Sequence, residues 1–255
     1  MRPCLSLAAA LLISGAALLP FAGARAGGLL DMTGEERAAF NDAVRAYLLE
    51  NPEVLLEAMS VLQVREEALA AERDLLLVEE HRASIFESAD DWSGGNPQGD
   101  LVVVEFMDYR CGYCHQAYDE VHELVASDGN IRFVLKELPV LGDASVMISK
   151  FAIAVRQLHG DAAYKAAHDA LFSLRGAADL ATLERLAAEL GHEPGPIMAR
   201  MQDPAVQAVI DRNYALAGAL ELSGTPTFVI GEALVRGYVA LDGLRQIVAA
   251  ERLDG

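Results

Sequence analysis

Leu101-Val102-Val103-Val104-Glu105-Phe106-Met107-Asp108-Tyr109-Arg110-Cys111-Gly112-Tyr113-Cys114 is the stretch that decides the fold. Leu101–Phe106 is a nearly continuous apolar run, the signature of a strand buried on both faces. A helix is expected from Cys111 to Ala126, and the alternation of Ile131, Phe133 and Leu135 with Arg132 and Lys136 predicts a second strand over Ile131–Glu137. Strand, helix, strand makes a right-handed βαβ unit, with two thiols at the strand-to-helix junction. Cys111 would meet the unpaired backbone N–H groups and the positive end of the helix dipole, surroundings that favour a nucleophilic sulfur. Cys114 lies one turn in, placed to attack a mixed disulfide on Cys111. Such a pair can close a short disulfide and reopen it.

Glu105 stands alone among apolar neighbours in the first strand. A carboxyl there would be desolvated, with a raised pKa, and able to pass a proton to or from Cys114. Lys136 on the next strand is a candidate partner for it.

Outward from this core, the chain has 255 residues and three cysteines. Residues 1–26 read as a secretory signal: Arg2, an apolar stretch from Leu5 to Phe21 broken by Ser14, Gly15 and Pro20, and the small-x-small run Ala24-Arg25-Ala26. Cleavage would remove Cys4, Arg2 and Arg25 and no acid, leaving 18 basic against 38 acidic residues and a net charge of −20. That charge excludes the basic footprint of a nucleic-acid binder. It suits a soluble protein in an exported compartment, and such compartments permit disulfides. The two remaining cysteines leave no spare thiol and no structural disulfide framework.

Residues 27–90 form a helical segment, with 15 acids against five arginines over residues 31–90. Thr33-Gly34-Glu35-Glu36 fits a capping box; Asn51-Pro52 looks like a second helix start, with Asn51 as N-cap. Leu55, Leu62, Leu69 and Leu76 recur every seven residues, the spacing of a self-association seam. The companion column Met59, Glu66, Arg73, Glu80 is poor, so an amphipathic helix packed on its own domain competes with that reading. The breaker-rich Ser93-Gly94-Gly95-Asn96-Pro97 reads as a linker into a second domain over residues 91–255. About 143–221 is helical throughout, with Asp143 as the first N-cap. Strands return at Thr227–Ile230 and Ala233–Tyr238, and Leu241–Arg252 closes as a helix.

Ser223-Gly224-Thr225-Pro226-Thr227-Phe228-Val229 is the second constellation. A proline directly before an apolar strand is unusual in a ladder. A cis bond at Pro226 would account for it, with Thr225 offering backbone groups to an extended substrate. Trp92 and Tyr113 are candidates for an apolar rim around Cys111. His159, His168 and His192 lie in the helical region and read as surface or packed residues rather than metal ligands.

Together, Val104-Glu105-Phe106, Asp108 to Cys114, the large helical insertion and Gly224-Thr225-Pro226-Thr227-Phe228 resemble the DsbA-like thiol–disulfide oxidoreductases of the thioredoxin superfamily. The resemblance covers roughly residues 84–253. It implies an α/β, thioredoxin-like fold with a large helical insertion, preceded by an N-terminal helical segment. It also implies Cys111 as nucleophile, Cys114 as resolving thiol, and Pro226 as a cis-proline facing them. Gly112-Tyr113 replaces the Pro-His dipeptide of the best-known oxidases, which leaves strong oxidising power without its usual support. Tyr47 to Glu57 is similar to the stalk of the suppressor-of-copper-sensitivity C group, some of whose members oligomerise and isomerise disulfides.

The expected function is a periplasmic protein thiol–disulfide oxidoreductase that forms or isomerises disulfides in exported proteins. It would need no cofactor beyond the redox-active Cys111–Cys114 disulfide and no metal. Its partners would be unfolded or misoxidised exported proteins, a membrane redox partner, oxidising or reducing, and further copies of itself through residues 27–90. The alternative from another class is a periplasmic copper-binding protein using Cys111 and Cys114 as ligands. Cys111-Gly112-Tyr113-Cys114-His115 also matches the haem-c attachment signature literally.

Overall fold

A computed structural model describes residues 32–176 and 178–254. The expected signal segment, residues 1–26, lies outside the described residues. The chain divides into two compact units with the boundary between Gln63 and Val64. Among the described residues no helix is long and apolar enough to cross a membrane.

The described residues of the first unit are helical, and its second helix continues past Gln63. Helix α1 (Gly34–Glu50) opens with the expected capping box: Thr33 N–H donates to Glu36 Oε2 at 2.9 Å and Glu36 N–H donates to Thr33 Oγ1 at 3.3 Å. No residue of α1 is buried. Asn51 does not cap the next helix with its side chain, though its carbonyl accepts the Val54 N–H at 3.2 Å. Its backbone N–H and its side-chain amide both donate to Tyr47 O, at 2.8 and 2.9 Å, so it closes α1 instead. Helix α2 (Glu53–Glu80) follows. Leu55, Leu62, Leu69 and Leu76 are all exposed, and Val78 is the one buried residue of α2.

The second unit is built on a mixed five-stranded sheet in the order β1-β3-β2-β4-β5, in the thioredoxin-like arrangement with a helical insertion. Strand β2 (Leu101–Met107), helix α4 (Gly112–Asp128) and parallel strand β3 (Ile131–Glu137) are the βαβ unit expected from the sequence. Five helices then intervene: α5 (Asp143–His159), α6 (Asp161–Ser173), α7 (Leu180–Glu189), α8 (Pro194–Arg200) and α9 (Pro204–Ala219). Strand β4 (Thr227–Ile230) returns antiparallel beside β2, β5 (Ala233–Arg236) pairs antiparallel with β4, and α10 (Leu241–Asp254) closes the chain.

Two local expectations fail. Ser93-Gly94-Gly95 does not open a linker but belongs to strand β1 (Trp92–Gly95), antiparallel to β3 at the sheet edge. The glycines that suggest a break serve close packing: a Cβ on Gly94 would lie 2.2 Å from the Trp92 ring. The N-cap of α5 is Gly142, at φ +90°, and Asp143 sits in the first turn, where its charge still suits the helix dipole.

Period-two alternation divides the core in two. Val103, Met107, Phe133 and Leu135 face a cluster shared with α4, α10 and the insertion helices. Val104, Phe106, Val134 and Leu138 face the other way, onto Val78, α3 (Arg82–Phe86) and the end of α9. Each fully buried aliphatic or aromatic side chain contributes about 1.5–3 kcal/mol, so both faces are firmly held.

Candidate active site

Cys111 is the N-cap of α4. Its backbone is extended (φ −78°, ψ 118°), and its sulfur accepts the Cys114 N–H at 3.4 Å. Cys111 is 7% exposed and Cys114 is fully buried, and both are free thiols. The outer and inner thiols thus differ in access, as expected. Cys111 Sγ–H donates to the Thr225 carbonyl oxygen at 3.1 Å, and the Thr225–Pro226 bond is cis. The two motifs, more than a hundred residues apart in sequence, meet here.

The loop between β2 and α4 is organised by Asp108, which sequence reasoning passed over. Its buried carboxylate accepts from Arg110 N–H (2.8 Å), Leu141 N–H (3.0 Å) and Ser145 Oγ (2.9 Å). Arg110 turns its guanidinium to the Leu141 carbonyl, 3.0 Å away. His115 bonds the Tyr109 carbonyl through Nε2 at 2.7 Å and packs edge-on against Phe172, so its imidazole is occupied beside the motif.

Glu105 is buried, with no hydrogen-bond partner among the described residues, and burial pushes its pKa up to about 8. Burial also raises the Cys114 thiol, and the Glu105 charge adds to the effect. The two groups therefore sense each other across the core. Lys136 does not pair with Glu105. In the β2–β3 register Lys136 stands opposite Phe106 and Glu105 opposite Leu135, so the two side chains leave opposite faces of the sheet. Lys136 is instead buried in an ion pair with Asp91, and it donates to Ser84 O at 2.8 Å.

Tyr113 is exposed and stacks on Tyr238, the ring centroids 6.2 Å apart. Tyr238 is anchored by its hydroxyl to Glu120 at 2.7 Å. Trp92 has no part in this rim. It is buried between Phe133 and Tyr164, and its indole N–H donates to Asp161 O at 3.1 Å.

A second buried carboxylate, Glu137, was read only as the end of a strand. It accepts from Tyr109 (2.8 Å), Tyr164 (2.7 Å) and Ser149 (2.8 Å). Burial raises its pKa to about 7, against the pull of these three donors. An acid ending an apolar strand was the available signal.

The sequence model of the DSBA-like thioredoxin domain matches residues 102–249. The chain belongs to the DsbA-like thioredoxin-domain family. The N-terminal domain of the copper resistance protein ScsC matches residues 36–68 of this DsbA-like chain. Among solved structures, a thioredoxin-like oxidoreductase from Silicibacter pomeroyi DSS-3 is 40% identical, with a TM-score of 0.64 over 68% of this chain and 98% of that one. The thiol-disulfide exchange protein alpha-DsbA2 from Wolbachia pipientis is 25% identical, with a TM-score of 0.66 over 71% and 97%. A periplasmic thioredoxin-like protein from Salmonella enterica serovar Typhimurium is 25% identical, with a TM-score of 0.61 over 67% and 94%. A Na(+)/H(+) antiporter NhaA 1 of Salinispora arenicola is 28% identical over 156 residues, 61% of this chain. The match spans about a quarter (24%) of that antiporter's length.

Proposed function

We propose that this DsbA-like protein is an exported, periplasmic thiol–disulfide oxidoreductase acting on disulfides of exported proteins through Cys111 and Cys114. The observation that carries this reading is the Cys111 sulfur at a helix N-cap, with the fully buried Cys114 behind it and the Thr225 carbonyl 3.1 Å in front. In the oxidising direction, a substrate thiolate attacks Cys111 of the Cys111–Cys114 disulfide. Cys114 leaves and takes a proton from the Glu105 carboxyl, whose raised pKa keeps it protonated near neutrality. A second substrate thiolate then attacks the substrate sulfur of the mixed disulfide and expels Cys111. The substrate loses two electrons and two protons to the pair, and a membrane redox partner resets it. In isomerisation, reduced Cys111 attacks a mispaired disulfide and the substrate's own thiol or Cys114 releases it.

Thr225 would bind the extended substrate backbone and Tyr113, braced on Tyr238, its side chains. Self-association through residues 27–90 is supported by the ScsC N-terminal match and by the exposed seven-residue leucine column. Several sites sharing one assembly would favour isomerisation.

Equilibration of the protein with glutathione buffers, followed by alkylation and mass readout of Cys111 and Cys114, tests the reading. A reversible two-electron transition supports it. A pair that never cycles, or that is held by copper(I) without turning over a scrambled substrate, overturns it.

A further inference from the structure

Helices α4 and α6 bring together three groups that the redox chemistry does not use: His122, His168 and Asp169. One donor atom from each lies within 4.8 Å of the others, and the two imidazole centroids are 6.2 Å apart. We propose that His122, His168 and Asp169 form a binding site for a divalent late transition-metal cation of the Zn2+ class.

Hydrogen bonding on the far side of each ring sets the donors. His122 Nδ1–H donates to the Tyr118 carbonyl at 2.8 Å. Its Nε2 is then an unprotonated acceptor, buried and without a hydrogen-bond partner. A buried polar atom in this state costs free energy that a ligand can return. Tyr109 donates its hydroxyl proton to Glu137, so the 3.0 Å contact between Tyr109 Oη and His168 Nδ1 is made by an Nδ1–H donor. That leaves His168 Nε2 as a second bare nitrogen. Outer bonds to a carbonyl and to a tyrosine backed by a carboxylate are the orienting contacts that metal-bound histidines carry.

Asp169 supplies the oxygen donor. Its carboxylate accepts from Tyr118 Oη at 2.5 Å and from Lys165 Nζ at 2.6 and 2.7 Å. Lys165 therefore occupies the place of a cation in the ion-free arrangement. It is partly exposed and can swing away. Tetrahedral zinc with bonds near 2.0–2.1 Å needs donor separations of about 3.3 Å, so the donors must close by about 1.5 Å at most. Two nitrogens and one oxygen suit Zn2+ and leave a fourth position open. His122 and Lys165 also line a cavity of about 580 Å³ next to Pro97 and Gly129.

The test uses the full chain carrying Cys4→Ser, Cys111→Ser and Cys114→Ser, so that no thiol competes and the outcome is independent of the redox reading. Titration with Zn2+, and with Co2+ as a visible-absorbing probe, is expected to show one equivalent bound. His122→Gln should weaken that binding at least tenfold. Lys165→Met should strengthen it several-fold, because the competing ammonium is gone. That gain is a response that a fortuitous surface site would not give, and it does not depend on how well the His122 variant folds. Absence of uptake, or uptake unchanged by both substitutions, overturns the proposal.

Discussion

Glu105 and Cys114 are buried on the same face of the sheet, and the charge of the first raises the proton affinity of the second. A glutamate whose folded pKa is raised is more easily protonated folded than unfolded. Between about pH 4.5 and pH 8 the folded protein holds a proton on Glu105 that the unfolded chain has released. Stability therefore falls as pH rises through that window, by about 1.4 kcal/mol per pH unit from this group. Glu105→Gln removes that slope. Glu137 adds its own between about pH 4.5 and pH 7, so the difference between wild type and variant is the clean quantity. Urea unfolding of the reduced proteins should show the variant gaining over wild type as pH rises, with the gain levelling above pH 8. A pH-independent difference would place the Glu105 pKa elsewhere. In exchange assays at neutral pH, the same variant should slow the displacement that expels Cys114 and the attack made by Cys114, while sparing the attack of reduced Cys111 on a substrate disulfide.

The unequal exposure of the two thiols predicts unequal variants. Cys111→Ser should abolish exchange with a scrambled substrate. Cys114→Ala should instead accumulate a mixed disulfide between Cys111 and substrate, visible as a reducible high-mass band. Accumulation on Cys114 in the Cys111 variant would reverse the assigned roles.

Asp91 and Lys136 are a buried ion pair on the opposite sheet face from Glu105. Removing one partner leaves an unpaired buried charge, so Asp91→Ala should cost about 3–5 kcal/mol, and the double variant Asp91→Leu with Lys136→Met should recover much of it. The double variant should keep the wild-type midpoint in glutathione buffers. A shift of that midpoint would mean that Lys136 reaches the thiols after all.

Leu62 and Leu69 are more than half exposed on α2. If this column is a seam between copies, Leu62→Lys with Leu69→Lys should reduce the sedimentation coefficient and leave the Cys111–Cys114 midpoint unchanged. A protein that sediments as a monomer before and after substitution has no such seam.

The βαβ unit, the helical insertion, the cysteine pair and Pro226 were legible because each is written locally, in periodicity or in a short motif. What sequence could not give depended on register and on distant partners. Lys136 looked like a neighbour of Glu105, but only the pairing of β2 with β3 decides which face each side chain leaves. Ser93-Gly94-Gly95-Asn96-Pro97 looked like a break, because what its glycines make room for depends on distant partners: Gly95 lies against the Ile131 carbonyl, and the Trp92 ring beside Gly94 packs against Phe133 and Tyr164. The Glu137 network and the histidine pair draw on α4, β3, α5 and α6 together, and no window of sequence contains them.

Strand β1 changes where this protein can be cut. The family match begins at residue 102, and the run of glycines before Pro97 invites excision there. A fragment starting at Pro97 would lack β1 and bare the outer edge of β3, a row of unpaired backbone donors and acceptors ready to recruit another chain. It would also strand Lys136 without Asp91 and leave Phe133 without the Trp92 ring. The usable seam lies upstream of α3, and the shorter fragment is one to expect in inclusion bodies rather than in solution.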